Sequence, residues 1–81
     1  MTSLIDQHLG KRIAAAREQL GIEFDRLSDV VDVPVERLMA FEQGSTRIPA
    51  ASLSKLAKAL GVTPRWFFHG LPGQDAFDRT G

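Results

Sequence analysis

About three residues, Asp32, Val33 and a neighbour, join two segments whose apolar residues recur at helical spacing. A link that short cannot return the chain as an antiparallel hairpin, so it sends the second helix away from the first at a steep angle. The upstream helix is expected from about Glu23 to Val31, with Leu27, Val30 and Val31 inward. Glu23 and Asp25 stand near its start, where the helix dipole favours anions. The downstream helix is expected from Pro34, whose fixed φ suits a first helical position, to about Gln43. It spaces Val35, Leu38 and Phe41 three apart and stops at Gly44. One helix of such a pair braces while the next presents its N-terminal half outward.

The flanking sequence is helical as well. Ile5, Leu9, Ile13, Ala16 and Leu20 draw one apolar stripe over about residues 4–20, capped by Ser3 with Asp6 behind it and ended at Gly21. Residues 45–50 read as a loop, and a fourth helix runs from about Ala51 to Leu60, with Lys55 and Lys58 outward. Thr63 and Pro64 restart the chain as cap and first residue of a short fifth helix that ends at Gly70. Two glycines, a proline and scattered charges from Leu71 onward suggest a loosely held tail. No strand pattern appears. The expectation is an all-α, compact five-helix domain over residues 1–70 with a C-terminal tail over 71–81.

With 81 residues, one domain is the limit. The chain has no cysteine, and its two histidines, His8 and His69, lie far apart, so no metal or other cofactor is expected. No apolar run approaches the ~18 residues that span a bilayer, and the N-terminus lacks the pattern of a signal peptide, so the chain reads as cytoplasmic with no membrane partner. No ordered set of serine, histidine and acid and no phosphate-cradling glycine loop is present, which argues against an enzyme.

In order and spacing, Leu9-Gly10-Lys11-Arg12-Ile13, Arg17, Leu20-Gly21, Leu27, Val31, Val33, Leu38, Phe41-Glu42-Gln43-Gly44, Pro49, Leu53 and Leu56-Ala57-Lys58-Ala59-Leu60-Gly61-Val62 carry a resemblance. Over about Leu9 to Phe68 the chain resembles the phage-repressor/Cro helix-turn-helix regulators, also called the xenobiotic-response-element type. The resemblance implies a lambda-repressor-like DNA-binding domain whose third helix enters the major groove of double-stranded DNA. It also implies a homodimer on an inverted repeat. Val35, Glu36 and Ala40 match positions that face base edges, with Arg37 and Met39 beside them; Gln43, Ser45, Thr46 and Arg47 match a loop that holds phosphates. Arg17 and Glu42 match an internal ion pair between the first and third helices.

The chain departs from that pattern in places. Phe24 stands where a DNA-touching glutamine is usual, Asp32 replaces the turn glycine, and Ser28 fills a site often held by alanine. Ten basic and ten acidic residues cancel overall, and between Ile22 and Glu42 the balance is −4. A duplex repels such a surface unless Lys11, Arg12, Arg47, Lys55 and Lys58 lie on the contacting side. Glu36 is either an acceptor for a cytosine amino group or a solvated acid in a first helical turn. Arg37 can pair with guanine or with phosphate. Val35 either meets a thymine methyl or closes the core.

Trp66, Phe67 and Phe68 are three adjacent aromatics that cannot all face one core, since helical neighbours point about 100° apart. Either two are core and one is partly exposed, or the outward ring makes a homodimer contact with Leu71 or with the Leu4–Ile5 end. Two functions follow: a sequence-specific DNA-binding transcriptional regulator, or a helix-turn-helix module whose Phe24 and acidic second helix bind a protein partner, as in a regulatory assembly or an antitoxin-like protein.

Overall fold

Leu9, Ile13 and Ala16 recur at steps of four and three, and they are the buried stripe of α1 (Leu4–Leu20), the helix against which most of the fold packs. The computed structural model describes residues 4–70. The other helices are α2 (Phe24–Val31), α3 (Val35–Gln43), α4 (Ala50–Leu60) and α5 (Pro64–Phe67); there is no strand among the described residues. The Ser3 cap, Leu71 and the 71–81 tail expected from sequence lie outside the described residues.

Helices α1 and α3 cross most closely at Gly10. A Cβ there would stand 2.2 Å from the carbonyl oxygen of Phe41 and 2.9 Å from that of Glu42. Only a residue without a side chain lets the two backbones touch. α3 follows α2 through a turn in which Asp32 is left-handed, with φ 56° and ψ 46°. Ser28 ties that turn: its carbonyl accepts the Asp32 and Val33 amides, and its hydroxyl donates to the Val33 carbonyl. Val33 itself is buried, so the turn is fastened to the core from inside.

Two expected boundaries move by one residue. Pro34 precedes α3 instead of opening it; its ψ of 146° is extended, and its carbonyl accepts the Arg37 and Leu38 amides. Pro49 likewise precedes α4, which begins at Ala50 instead of Ala51, and its carbonyl accepts the Leu53 amide. A third difference concerns Val30, expected inside α2. It is 60% exposed, because the inward stripe of this two-turn helix is Leu27 and Val31, four apart, and Val30 points about 100° away from Val31.

The core is wholly apolar among the described residues, with Ile13, Leu38, Phe41, Leu56 and Phe67 fully buried in it. α5 begins as expected: the Thr63 hydroxyl accepts the Trp66 amide, with Pro64 at the first helical position. Among the described residues, no helix is long and apolar enough to cross a membrane.

Candidate functional site

Leu38 and Phe41 pin α3 to the core, and this fixes which of its residues face out. Glu36, Arg37, Met39 and Gln43 are exposed, while Val35 and Ala40 are half-buried at the margin. Glu36, Met39, Ala40 and Gln43 stand at steps of three, one and three, which is one continuous outer face of a helix. Among the described residues, no other helix covers this face.

The loop after α3 is held at both ends. Gly44 takes the left-handed conformation, with φ 70°, and the Ser45 amide and hydroxyl both donate to the Ala40 carbonyl. Ile48 is buried. Between these anchors Ser45 and Arg47 are exposed and Thr46 is half-buried. Gln43, Ser45, Thr46 and Arg47 are thus brought beside the end of the outer face of α3. Among the described residues, Arg37 and Arg47 form no hydrogen bond or ion pair.

Arg17 and Glu42 do meet. Arg17 Nε donates to Glu42 Oε2 at 2.6 Å and Nη2 to Oε1 at 3.2 Å, while Nη1 donates to the Ile22 carbonyl at 3.0 Å. The two side chains are only 15% and 10% exposed. Hydrogen bonding to Glu42 holds the Arg17 guanidinium still more firmly in its charged form, against the opposing effect of burial. This bidentate pair fixes α3 to α1 and to the strand of chain that enters α2.

Phe24, which stands at a position that matches a DNA contact, turns one face of its ring inward. Its half-buried ring lies 4.1 Å from the Arg17 guanidinium and packs against the core, roofing the ion pair.

Arg12 is the residue that sequence reasoning missed. Its guanidinium stacks 3.7 Å above the Trp66 ring, and Nη2 donates to the Trp66 carbonyl at 3.1 Å. Its Nε is buried with no hydrogen-bond partner among the described residues. Of the five cations counted on to offset the acidic segment, Arg12 is therefore committed to α5, while Lys11, Arg47, Lys55 and Lys58 stay exposed. Nothing in the spacing of residues 12 and 66 could have shown this.

In α5 the three aromatics divide. Phe67 has no exposed surface and meets Trp66 edge-on at 5.6 Å; Trp66 and Phe68 are half-buried. Phe67 is therefore core and offers nothing to a partner, which leaves Trp66 and Phe68. The fold also brings the histidines together: His8 Nε2 lies 2.7 Å from the His69 carbonyl, joining the start of α1 to the chain after α5. No cluster of metal-ligating side chains occurs among the described residues.

Comparison with known proteins gives a consistent picture. A helix-turn-helix family profile matches residues 13–67. An HTH-type transcriptional regulator of Sinorhizobium medicae is 30% identical over 69 residues, which cover 85% of this chain and 50% of that protein. The chain spans about half the length of the first curated relatives it matches. Two solved structures share the fold. The clp gene regulator ClgR from Corynebacterium glutamicum superposes with a TM-score of 0.81 at 20% identity, over 99% of this chain and 85% of that one. The restriction-modification controller protein C.AhdI from Aeromonas hydrophila gives 0.74 at 24% identity, over 78% and 96%.

Proposed function

This chain belongs to the helix-turn-helix family, and on that footing we propose that it is a sequence-specific DNA-binding transcriptional regulator acting in the cytoplasm. The observation that carries the proposal is the outer face of α3, uncovered by any described residue and followed at once by a loop whose exposed arginine has no partner among the described residues and stands between two anchored positions. The relatives' names as transcriptional regulators support it.

In this proposal α3 lies in the major groove. Arg37 donates to guanine or to phosphate, Glu36 accepts from a cytosine amino group, and Val35, Met39 and Ala40 line the apolar approach to the bases. Gln43, Ser45, Thr46 and Arg47 grip the backbone and set the register without reading sequence. Phe24 is left out of the contact set, since its ring covers Arg17. Two copies associate through Trp66 and Phe68 with the exposed Leu4 and Ile5, and bind an inverted repeat.

Selection of duplexes from a random pool, at low and at moderate salt, tests the proposal. An enriched inverted repeat is expected. Arg37→Ala should then relax specificity at one base position at a cost of about 1–3 kcal/mol, whereas Arg47→Ala should weaken all sequences alike. If no duplex is enriched, or if neither substitution changes binding, the proposal falls.

A further inference from the structure

The loop between α3 and α4, the start of α1 and the end of α5 border an open cleft of about 650 Å³. Its floor is formed by Leu9, Ile48 and Leu53. These three keep 4–7% exposure, whereas Ile13, Leu38 and Leu56 keep none. At the cleft the edge of the core keeps slight contact with solvent, and the exposed Ile5 and Pro49 add apolar lining above it. Phe68, half-buried, adds an aromatic wall, and Arg37 and Arg47 contribute the cations of the lining.

The two arginines carry several guanidinium donors each, with none engaged by a described residue. Among the described residues, Asp6 is the only carboxylate in the lining, and it has an interaction of its own. The lining therefore has two parts: an apolar floor that stands to lose its residual contact with water, and two free guanidiniums that suit a planar, bidentate anion. A neutral apolar molecule satisfies only the first part, and an inorganic anion only the second. The volume suits a small organic ligand.

We infer that this cleft binds an amphipathic monocarboxylate, with its carboxylate on Arg37 and Arg47 and its hydrocarbon chain on Leu9, Ile48 and Leu53. The inference deepens the DNA-binding proposal and its regulatory part rests on it: the same two arginines are its proposed duplex contacts, so acid and duplex exclude one another. The domain then releases DNA when such an acid accumulates.

Octanoate is the probe, with 1-octanol as its neutral counterpart, titrated into the full chain and followed by methyl and amide NMR. Octanoate is expected to shift the Leu9, Ile48 and Leu53 signals with half-saturation in the low millimolar range or below, as its size permits (~10 heavy atoms). Octanol should bind at least about 5-fold more weakly, and the double substitution Arg37→Met with Arg47→Met should erase that preference. Ala50 is exposed in the lining, so Ala50→Phe fills the cleft without disturbing the core; it should weaken octanoate about 10-fold and leave duplex affinity within about 2-fold. In wild type, octanoate should raise the apparent Kd of a selected duplex competitively.

The inference is overturned if octanoate leaves the cleft signals in place, if octanol matches it, or if its only effect is to change the mass of the assembly, which would make a second copy the occupant. If octanoate binds as expected but no duplex is ever selected, the cleft stands and the DNA-binding proposal fails. If a duplex binds and octanoate does not, the reverse holds.

Discussion

The Arg17–Glu42 pair sets the placement of α3 more than it adds to stability. Both side chains are nearly buried, so each charge has lost most of its hydration, and the bidentate geometry with the Ile22 carbonyl returns a similar amount. Removing one partner strands the other. Arg17→Met or Glu42→Leu should each cost about 3–5 kcal/mol, whereas the two combined should recover more than half of that loss. Urea unfolding of the four proteins completes the cycle; additive losses would show that the two residues are not coupled. This pair was legible in the sequence only through family resemblance, because residues 25 positions apart carry no local sign of meeting. Phe24 was not legible at all. Its position announced a departure from the pattern, but only the fold shows that the ring is turned onto the guanidinium.

At the scale of the element, periodicity and punctuation carried most of what could be read. The stops at Gly21, Gly44 and Gly61 and the Thr63–Pro64 start of α5 stand where spacing placed them, and so do Leu9, Ile13 and Ala16 of the α1 stripe, whereas its two ends, Ile5 and Leu20, are exposed because α1 runs past the core at both ends. What failed was the side of a short helix: over two turns the α2 pattern did not separate Val30 from Val31. The turn makes a sharper test. Asp32 holds φ 56°, a conformation that is uncomfortable for any side chain and least so for glycine, asparagine and aspartate. Asp32→Gly should be neutral or raise stability by up to about 1 kcal/mol, while Asp32→Val should lower it by about 1–2 kcal/mol, both read as shifts in the urea midpoint. An unchanged midpoint for Asp32→Val would mean that the turn is not left-handed in solution. α5 depends on a different device, the Arg12 clamp. Its stacking and hydrogen bond to Trp66 are worth about 1–3 kcal/mol, and the stranded Nε costs a comparable amount. Arg12→Met should therefore change global stability little. It should, however, shift Trp66 fluorescence to the red and speed amide exchange in α5. A loss of several kcal/mol with α5 still protected would assign Arg12 to the core instead.

For the whole molecule, charge decides how DNA can be bound. Ten positive and ten negative residues leave no general attraction to a polyanion, and Arg12, one of the cations that could have compensated, is tied to α5. Net charge was fully legible from the sequence; which cations stay free was not, since that depends on partners brought together by folding. Arg37 and Arg47 are the free cations among the proposed contacts. Each phosphate neutralised contributes about −0.9 to the slope of log K against log salt. Two contacts in each of two copies therefore give a slope of about −3 to −4, shallow for a dimeric regulator. Lys11, Lys55 and Lys58 are exposed, and if all three also reached phosphate the slope would steepen to about −9. Titrating a selected duplex between low and moderate salt separates these cases, and Arg47→Ala should flatten the line by about one unit for each copy bound. A shallow slope would also mean weak non-specific binding, so that occupancy of a site depends on base contacts from α3 rather than on general retention along the chromosome. If the measured slope is steep and insensitive to Arg47, the duplex is held by the lysines, and the α3–loop face is not the surface that meets it.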